Sequence, residues 1–500
     1  MKIKIFLGSL LSLGASMTLT SCHGDLDIQQ PSQFTSLTMW VEESDFTTAI
    51  NGAYTLFRSN YAAEMHCIYG DLRADYLESG AVNDAFFNTY GPKNKLRISD
   101  SGTNWAGIYT TINAVNLVIR HIDDVQFSRD ETRKEVLANA YFLRGYLYYL
   151  IARVWGDAPV LTSGFESERQ EDMYPSRNPV AEVYAQAESD MEQAAALIPS
   201  GKNLHKASPA AINMLRADYY SWKASRLNGG NEALTKAQTA VNAVLSAGYT
   251  LLPNFADLIG TENENNAEFI FTMPFNVGEN VTAGTSPNFY AYFPAPSSQW
   301  LIISNNGYTQ EDVPTGSHTQ YVAPQKSFCD LMKAEPRDTR TDLTLREFED
   351  EFIKDEMQIE RMIMKFLGSW ANETRSFDSD MPIYRLAEAY LLKAEIENKL
   401  GNTSAALDAL NTVAARAYGV ENYYTTTDKD EITEAICNET LKELALEGKI
   451  WWTYLRNNVE FKMIPSLVGR ENELNILLWP VAQASHNTNP NIDLTPGLDK

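Results

Sequence analysis

Apolar residues recur along this chain at helical spacing over long stretches, then lose that spacing, then regain it. Ile108, Ile112, Val115, Ile119 and Ile122 are spaced 4, 3, 4, 3, which draws one apolar stripe along a helix. Val136, Ala140, Leu143, Leu147, Leu150 and Val154 repeat the pattern, and Leu137, Tyr141, Tyr148, Ile151 and Trp155 form a second row beside it. A helix apolar over so much of its girth belongs at the centre of a core. Gly156-Asp157-Ala158-Pro159 ends it. A helix over 179–198 follows, with Tyr184, Ala187, Met191, Ala194 and Ile198 on one face between Pro179 and Pro199. Ser208-Pro209 opens another, with Ile212, Leu215, Tyr219 and Trp222 inward, and Asn228-Gly229-Gly230 breaks it. The next carries Leu234, Ala237, Val241 and Val244 and closes at Gly248.

The same unit returns later. The spacing predicts a helix from Ile383 to Leu400, a turn at Gly401-Asn402, a helix from Ser404 to Ala417, and a last long helix from Ile432 to Leu455. Each helix pair takes about 35 residues, close to the tetratricopeptide period. Between these blocks, 249–380 is irregular. Phe269-Ile270-Phe271 is its clear strand-like run, and Pro274, Pro287, Pro294, Pro296, Pro314 and Pro324 interrupt it. Residues 78–107 share that texture, and 464–500 form an extended tail. The expected fold is mainly α: a tetratricopeptide-like helical-repeat scaffold with long irregular loops and minor β. The scaffold spans about 41–248 and 381–460, and the loop-rich region about 249–380. Long loops on a rigid scaffold are where function concentrates.

The N-terminus lies outside this fold. Lys2 and Lys4 precede a short apolar run, Ile5 to Leu19, which reads as a secretory signal and is too short for a membrane span. Leu19-Thr20-Ser21-Cys22 resembles a bacterial lipobox. Cleavage before Cys22 and acylation there would anchor the protein, with 1–21 as signal peptide and 22–40 as lipidated Cys and tether. Cys67, Cys329 and Cys437 then remain, an odd number best read as buried free thiols. Absence of CxxC leaves no structural zinc site of the usual spacing.

Charge and motifs narrow the chemistry. With 41 Lys+Arg against 65 Asp+Glu, the formal net charge of -24 disfavours nucleic acid. The six histidines show no i, i+4 pair, and HExxH, GxSxG, Walker A and GxGxxG are absent. No catalytic residue, metal site or cofactor is assigned. The positive signal is aromatic: Phe86, Phe87 and Tyr90 in one loop, and Tyr290, Tyr292, Trp300 and Tyr308 in another. A flat ring stacks on the apolar C–H face of a sugar, while neighbouring polar groups orient its hydroxyls. For any single ring, a packing role stands ahead of a binding one.

Six stretches resemble one family. They are Ser21-Cys22-His23-Gly24-Asp25-Leu26-Asp27 with Pro31; Trp105-Ala106-Gly107-Ile108-Tyr109 with Ile112-Asn113 and Asn116; and Tyr141-Phe142-Leu143-Arg144-Gly145 running to Trp155-Gly156-Asp157-Ala158-Pro159. The others are Ile383 to Glu395; Glu443-Leu444-Ala445-Leu446-Glu447-Gly448 with Trp452 and Leu455-Arg456; and Trp479-Pro480-Val481 with Asn489-Pro490-Asn491 and Pro496-Gly497. Together they resemble the SusD/RagB family of outer-membrane nutrient-binding lipoproteins, over nearly the whole chain after Cys22. Lys449 to Thr453 lacks the family's usual Arg and Asp, and Val481-Ala482 replaces its Ile-Pro.

The resemblance implies a single SusD-like domain over 41–500, lipid-anchored in the outer membrane and facing the exterior. It implies a non-catalytic protein that binds a glycan and delivers it to a SusC-like TonB-dependent transporter. The alternative is a helical-repeat lipoprotein scaffold serving a protein partner or peptide import; exposed loop rings would discriminate. Ligand contacts vary among members, so the site candidates rest on loop position: Phe86, Phe87, Tyr90, Tyr290, Tyr292, Trp300 and Tyr308, with Arg73 and Asn88 as polar partners. The Arg- and Glu-rich helices are expected to lock the scaffold through buried ion pairs.

Overall fold

Helix Asp130–Trp155 is the hub of the molecule: from Val136 to Trp155 every residue except Tyr141 is buried. The computed structural model describes residues 39–80, 92–166, 173–276, 288–316, 320–348 and 359–498. The signal segment, Cys22 and most of the tether therefore lie outside the described residues. Around the hub the helices pack in chain order. Glu43–Phe57 lies on Ala106–His121, which lies on Asp130–Trp155, followed by Val180–Leu197, Pro209–Arg226 and Gly230–Leu245. Each buries the stripe its spacing drew: Ile108, Ile112 and Val115, then Ala187 and Met191, then Ile212 and Leu215, then Leu234 and Val241. Ser208 caps its helix, its hydroxyl accepting from the Ala211 N–H at 3.2 Å. Gly156 and Gly248 end theirs with φ of 75° and 77°, a conformation costly for any residue with a Cβ.

After Gly230–Leu245 the next helix of the stack is Leu386–Leu400, which packs directly on it and on Thr403–Tyr418. The segment between is therefore an insertion between two consecutive helices of one solenoid. Among the described residues its β structure is short two-stranded ladders, which include Phe269–Met273 with Met381–Arg385, Ala295–Pro296 with Thr315–Gly316, and Ser369–Ala371 with Thr374–Ser376, while Val322–Pro324 pairs with Leu77–Ser79 outside it.

Two expected helices are corrected. Ile383 to Arg385 is strand, and the helix starts at Leu386. The strand ladder with Phe269–Met273 is buried on both faces, so it takes these residues although their sequence runs on smoothly into the helix. The expected helix 432–455 is two, Lys429–Leu444 and Ile450–Arg456. Between them Leu446 and Gly448 have φ of 69° and 73°. A Cβ on Gly448 would lie 2.7 Å from the His66 side chain. Side chains capture backbone groups that the break frees. Asp71 accepts from the N–H groups of Gly448 (2.6 Å), Lys449 (3.2 Å) and Ile450 (3.3 Å), while Lys365 Nζ donates to the carbonyls of Glu443 (3.1 Å) and Ala445 (3.0 Å). The tail also departs from a plain extended chain, since Gln483–Thr488 is helical.

The expected ion-pair lock is present and has a definite location. Arg385 bonds Glu443 (2.6 Å), Glu447 (2.7 Å) and Glu268 (2.9 Å); Arg340 bonds Glu439 (2.6 Å) and Asp338 (2.8 Å); Lys365 bonds Glu447 (2.6 Å). Arg416 joins Glu268 and Glu443, and Lys442 lies 3.4 Å from Asp338. These are five cations and five carboxylates, all buried or nearly so. Burial would raise the Glu443 carboxyl, but the guanidiniums of Arg416, Arg385 and Arg340 outweigh it and hold it well below the usual range. Glu268, Asp338, Arg340 and Lys365 belong to the insertion, and the rest belong to its return strand and the stack. The network therefore fastens the insertion at its root. Lys449 donates to the Ile383 carbonyl at 2.6 Å and pairs with Glu388 at 2.8 Å.

Cys67, Cys329 and Cys437 are free and buried. Trp40–Lys500 is one compact unit, and no helix of the described residues is long and apolar enough to cross a membrane.

Candidate functional site: an aromatic face on the insertion

The insertion's segment 288–316 is pinned at its start and open at its far end. Asn288 is buried; its Nδ2 donates to the Phe377 carbonyl at 3.0 Å and its Oδ1 accepts from the Tyr290 N–H at 3.2 Å. Phe289, Tyr290 and Phe293 then fill the interior with no exposed surface. Ala295–Pro296 pairs with Thr315–Gly316, and helix Trp300–Asn305 follows. Ile303 plants that helix in a small core with Ala295, Val313, Phe348, Ile359 and Met362, and Trp300 and Tyr308 pack half-buried against it. The neighbouring side chains Leu301 and Ile302 point outward, 70% and 43% exposed.

The second part of the face comes from the hairpin 369–376. Gly368 enters it with φ 73°, where a Cβ would collide with the Ser376 carbonyl at 2.0 Å, so only glycine fits. Asp378 closes its base, accepting from the Ser369 N–H at 2.8 Å and hydroxyl at 2.9 Å. The hairpin lifts Trp370 beside Trp300, edge to face, with ring centroids 5.7 Å apart and planes at 64°. The Arg375 guanidinium lies 5.6 Å over the Trp370 ring. Its N–H groups go to the carbonyls of Thr315 (3.0 Å) and Leu367 (3.1 Å) and to Gln310 Oε1 (3.3 Å), and burial pushes its pKa down to about 10. Arg375 therefore braces the ring as a cation–π partner and clamps the hairpin to the Gln310–Thr315 loop.

The remaining candidates separate by burial. Tyr292 is half-buried, its hydroxyl donates to Glu64 at 2.7 Å, and its ring lies 5.7 Å from Tyr321. Two candidates are corrected. Tyr290 is wholly buried, with its hydroxyl 3.4 Å from the Leu446 carbonyl. Arg73 is 1% exposed; it donates to the carbonyls of Ile476 (2.5 Å) and Leu477 (3.1 Å) and to Asn94 (2.7 Å), and stacks 4.2 Å over Trp451. Both residues hold the interior together and present nothing to a ligand. Phe86, Phe87, Asn88, Tyr90 and Cys22 lie outside the described residues. Sequence reasoning missed Trp370, Leu301 and Ile302. The signal for Trp370 was Gly368 with Asn372-Glu373, which bracket two short strands as a hairpin would.

Among the described residues no group of three His, Cys, Asp or Glu could hold a metal ion. His66 is buried beside Tyr61, and His121 lies between Asp124 (2.6 Å) and Glu166 (3.1 Å) under the Trp40 ring. Glu264, partly exposed, has its carboxyl raised to about 7 by burial and by the charge of Asp380.

Comparison with known proteins points one way. A family model described as starch-binding, associating with outer membrane, matches residues 26–216, and the SusD family model matches 349–472. A SusD-like protein, P38, of Formosa agariphila is 24% identical over 94% of this chain and 94% of its own length. Among solved structures, NanU of B. fragilis superposes with a TM-score of 0.79 at 23% identity, covering 94% of this chain and all of that one. A SusD superfamily protein from Bacteroides vulgatus superposes with a TM-score of 0.75 at 25% identity, covering 91% and 99%.

Proposed function

The chain belongs to the SusD family, and on that footing we propose that it is a non-catalytic glycan-binding lipoprotein of the cell surface. It is anchored through Cys22 in the outer membrane, faces the exterior and hands captured oligosaccharide to a SusC-like TonB-dependent transporter. The observation that carries the binding role is the Trp300–Trp370 pair, two half-buried rings held at a fixed angle beside the exposed side chains of Leu301 and Ile302. Rigid aromatic surface set before the ligand arrives lowers the ordering cost of binding. The Gln299 side-chain amide on the same segment is a partner for sugar hydroxyls, whereas Gln310 and Thr309 are engaged with Thr315, Arg375 and Asp312.

Calorimetry of the intact protein against a glycan panel tests this reading. Affinity that falls about tenfold or more in Trp300→Ala/Trp370→Ala supports it. Unchanged affinity in that variant removes the site, and the protein-partner reading then takes its place, tested by co-purification with the transporter. Absence of reducing-sugar release from any bound glycan is expected. A Cys22→Ser protein is expected to leave the membrane fraction.

A further inference from the structure

Away from the insertion, one end of the helical stack holds a cavity of about 560 Å3, within the size range of small-molecule sites. It lies where Pro209–Arg226 and Leu386–Leu400 end and where Gly230–Leu245 and Lys429–Leu444 begin. The turn 457–459 and helix Glu460–Met463 complete its wall. Ala224, Leu234, Val459 and Met463 give it an apolar patch. Among the described residues its lining holds no aromatic side chain, so it offers a sugar no ring to stack on. The lining carries three lysines against two acids, in a chain where Asp+Glu outnumber Lys+Arg by 65 to 41.

A row of buried charges runs up to this cavity and does not balance. Arg153 pairs with Asp218 (3.2 Å), Asp218 with Arg456 (2.8 Å), Arg456 with Glu395 (3.0 Å), and Glu395 with Lys399 (2.8 Å), which lines the cavity. That is three cations to two carboxylates. The neighbouring pairs Lys449–Glu388 and Arg226–Glu460 are matched one to one and leave the count unchanged. Burial, together with the charge of Arg456, holds the Lys399 ammonium below its usual range although Glu395 favours it. A charge left unmatched in the interior is costly, and an anion in the cavity would supply the missing partner. The protons of Lys399 are already committed to Glu395, to Ser225 at 2.9 Å and to the Arg456 carbonyl at 2.8 Å. Its contribution to a ligand is therefore its field and not a hydrogen bond.

Other groups in the lining are free to touch a ligand. Lys429 Nζ reaches the Lys399 carbonyl at 3.3 Å and keeps its remaining protons. Among the described residues, the side-chain amides of Asn231 and Asn458 have no hydrogen-bond partner, and Asn457 uses its Nδ2 on Glu395 and Thr453 while its Oδ1 accepts from none. Such amides both donate and accept, as a peptide group does. Lys462 is engaged by Glu434 at 2.7 Å, and the exposed Asp430 opposes any second negative charge. Phosphate and other dianions are therefore disfavoured against a single carboxylate. One carboxylate, adjacent amide groups and an apolar side chain together describe the last residues of a peptide.

We propose that this cavity binds the free C-terminal carboxylate of a peptide, independently of the Trp300–Trp370 face. A free oligopeptide and the chain end of a protein partner present the same chemistry. Calorimetry of the intact protein is run with N-acetyl-Ala-Val-Leu as the acid, with its C-terminal amide, and with a long Gly/Ser peptide ending in the same three residues. The acid is expected to bind about tenfold or more tighter than the amide. Lys429→Glu, at an exposed position, should weaken the acid by about the same factor at unchanged Tm. Asn231→Trp, also exposed, should block the acid by filling the space. Equal binding of the long peptide assigns the cavity to a protein's chain end, and binding of the short acid alone assigns it to free peptides. The Trp300→Ala/Trp370→Ala protein is expected to bind the acid as wild type does, so loss of the glycan site leaves this one standing. The proposal is overturned by any of three results: no binding of the acid by calorimetry or saturation-transfer NMR, equal binding of acid and amide, or affinity indifferent to both Lys429→Glu and Asn231→Trp.

Discussion

The root and the tip of the insertion use opposite chemistry. At the root, ten charged side chains are taken out of water and matched against one another around Arg340, Arg385 and Glu443. At the tip, Trp300, Trp370, Leu301 and Ile302 sit on a core of six buried apolar residues, and the nearby Arg375 is clamped by carbonyls rather than by a carboxylate. The difference teaches where directionality is needed. Charged groups that leave water tolerate few arrangements, so a buried network sets how the insertion meets the stack. An apolar aromatic surface is permissive about its partner and costs little to expose in small patches. A protein that must hold a loop region firmly and still meet varied ligands can place the first chemistry at the base and the second at the end.

That comparison can be broken at several points. Arg385→Met leaves Glu268, Glu443 and Glu447 facing one another in the interior. Urea unfolding should show a loss of about 3–5 kcal/mol, and a loss under about 1 kcal/mol would mean the network does not fasten the insertion. Asn288→Ala sits between root and tip. It strands the Phe377 carbonyl and the Tyr290 N–H, so a loss of about 1–3 kcal/mol is expected, with weaker glycan binding because the segment carrying Trp300 loses its anchor. Trp300→Ala/Trp370→Ala should do the reverse: affinity down by about tenfold or more, or ~1.4 kcal/mol, with a smaller shift in Tm than Asn288→Ala produces. If stability falls more than binding does, these rings are packing groups.

The smallest effect concerns pH. The Glu264 carboxyl rises from 4.5 to about 7 in the folded protein, so the folded state holds that proton more tightly than the unfolded chain does. Its favourable contribution is present below about 4.5 and is lost as pH rises through 7. Glu264→Gln should flatten that slope, raising Tm by about 1 °C at pH 8 and leaving it unchanged at pH 4. A Tm–pH curve that matches wild type would show that Asp380 does not press on Glu264.

Much of the scaffold was legible before any coordinates. The stripes at Ile108–Val115 and Leu234–Val244, the Ser208-Pro209 start and the Gly156 and Gly248 stops all depend on residues within one or two helical turns, and they stand where the spacing put them. Less of the site was legible. Tyr290 and Trp300 are ten positions apart in one aromatic run and look alike in sequence, yet one is buried against Leu446 and the other lies half-open beside Trp370.

The sequence by itself determined the periodic helices, their breaks, the excess of acid and the family motifs, because each is a property of neighbouring residues. Tertiary structure alone decided that Ile383–Arg385 is strand, that the last long helix breaks where Asp71 and Lys365 capture its backbone, and which rings reach the surface. The reason is physical: burial and backbone hydrogen bonding at those points are supplied by groups tens to hundreds of residues away along the chain, and local pattern carries no record of them.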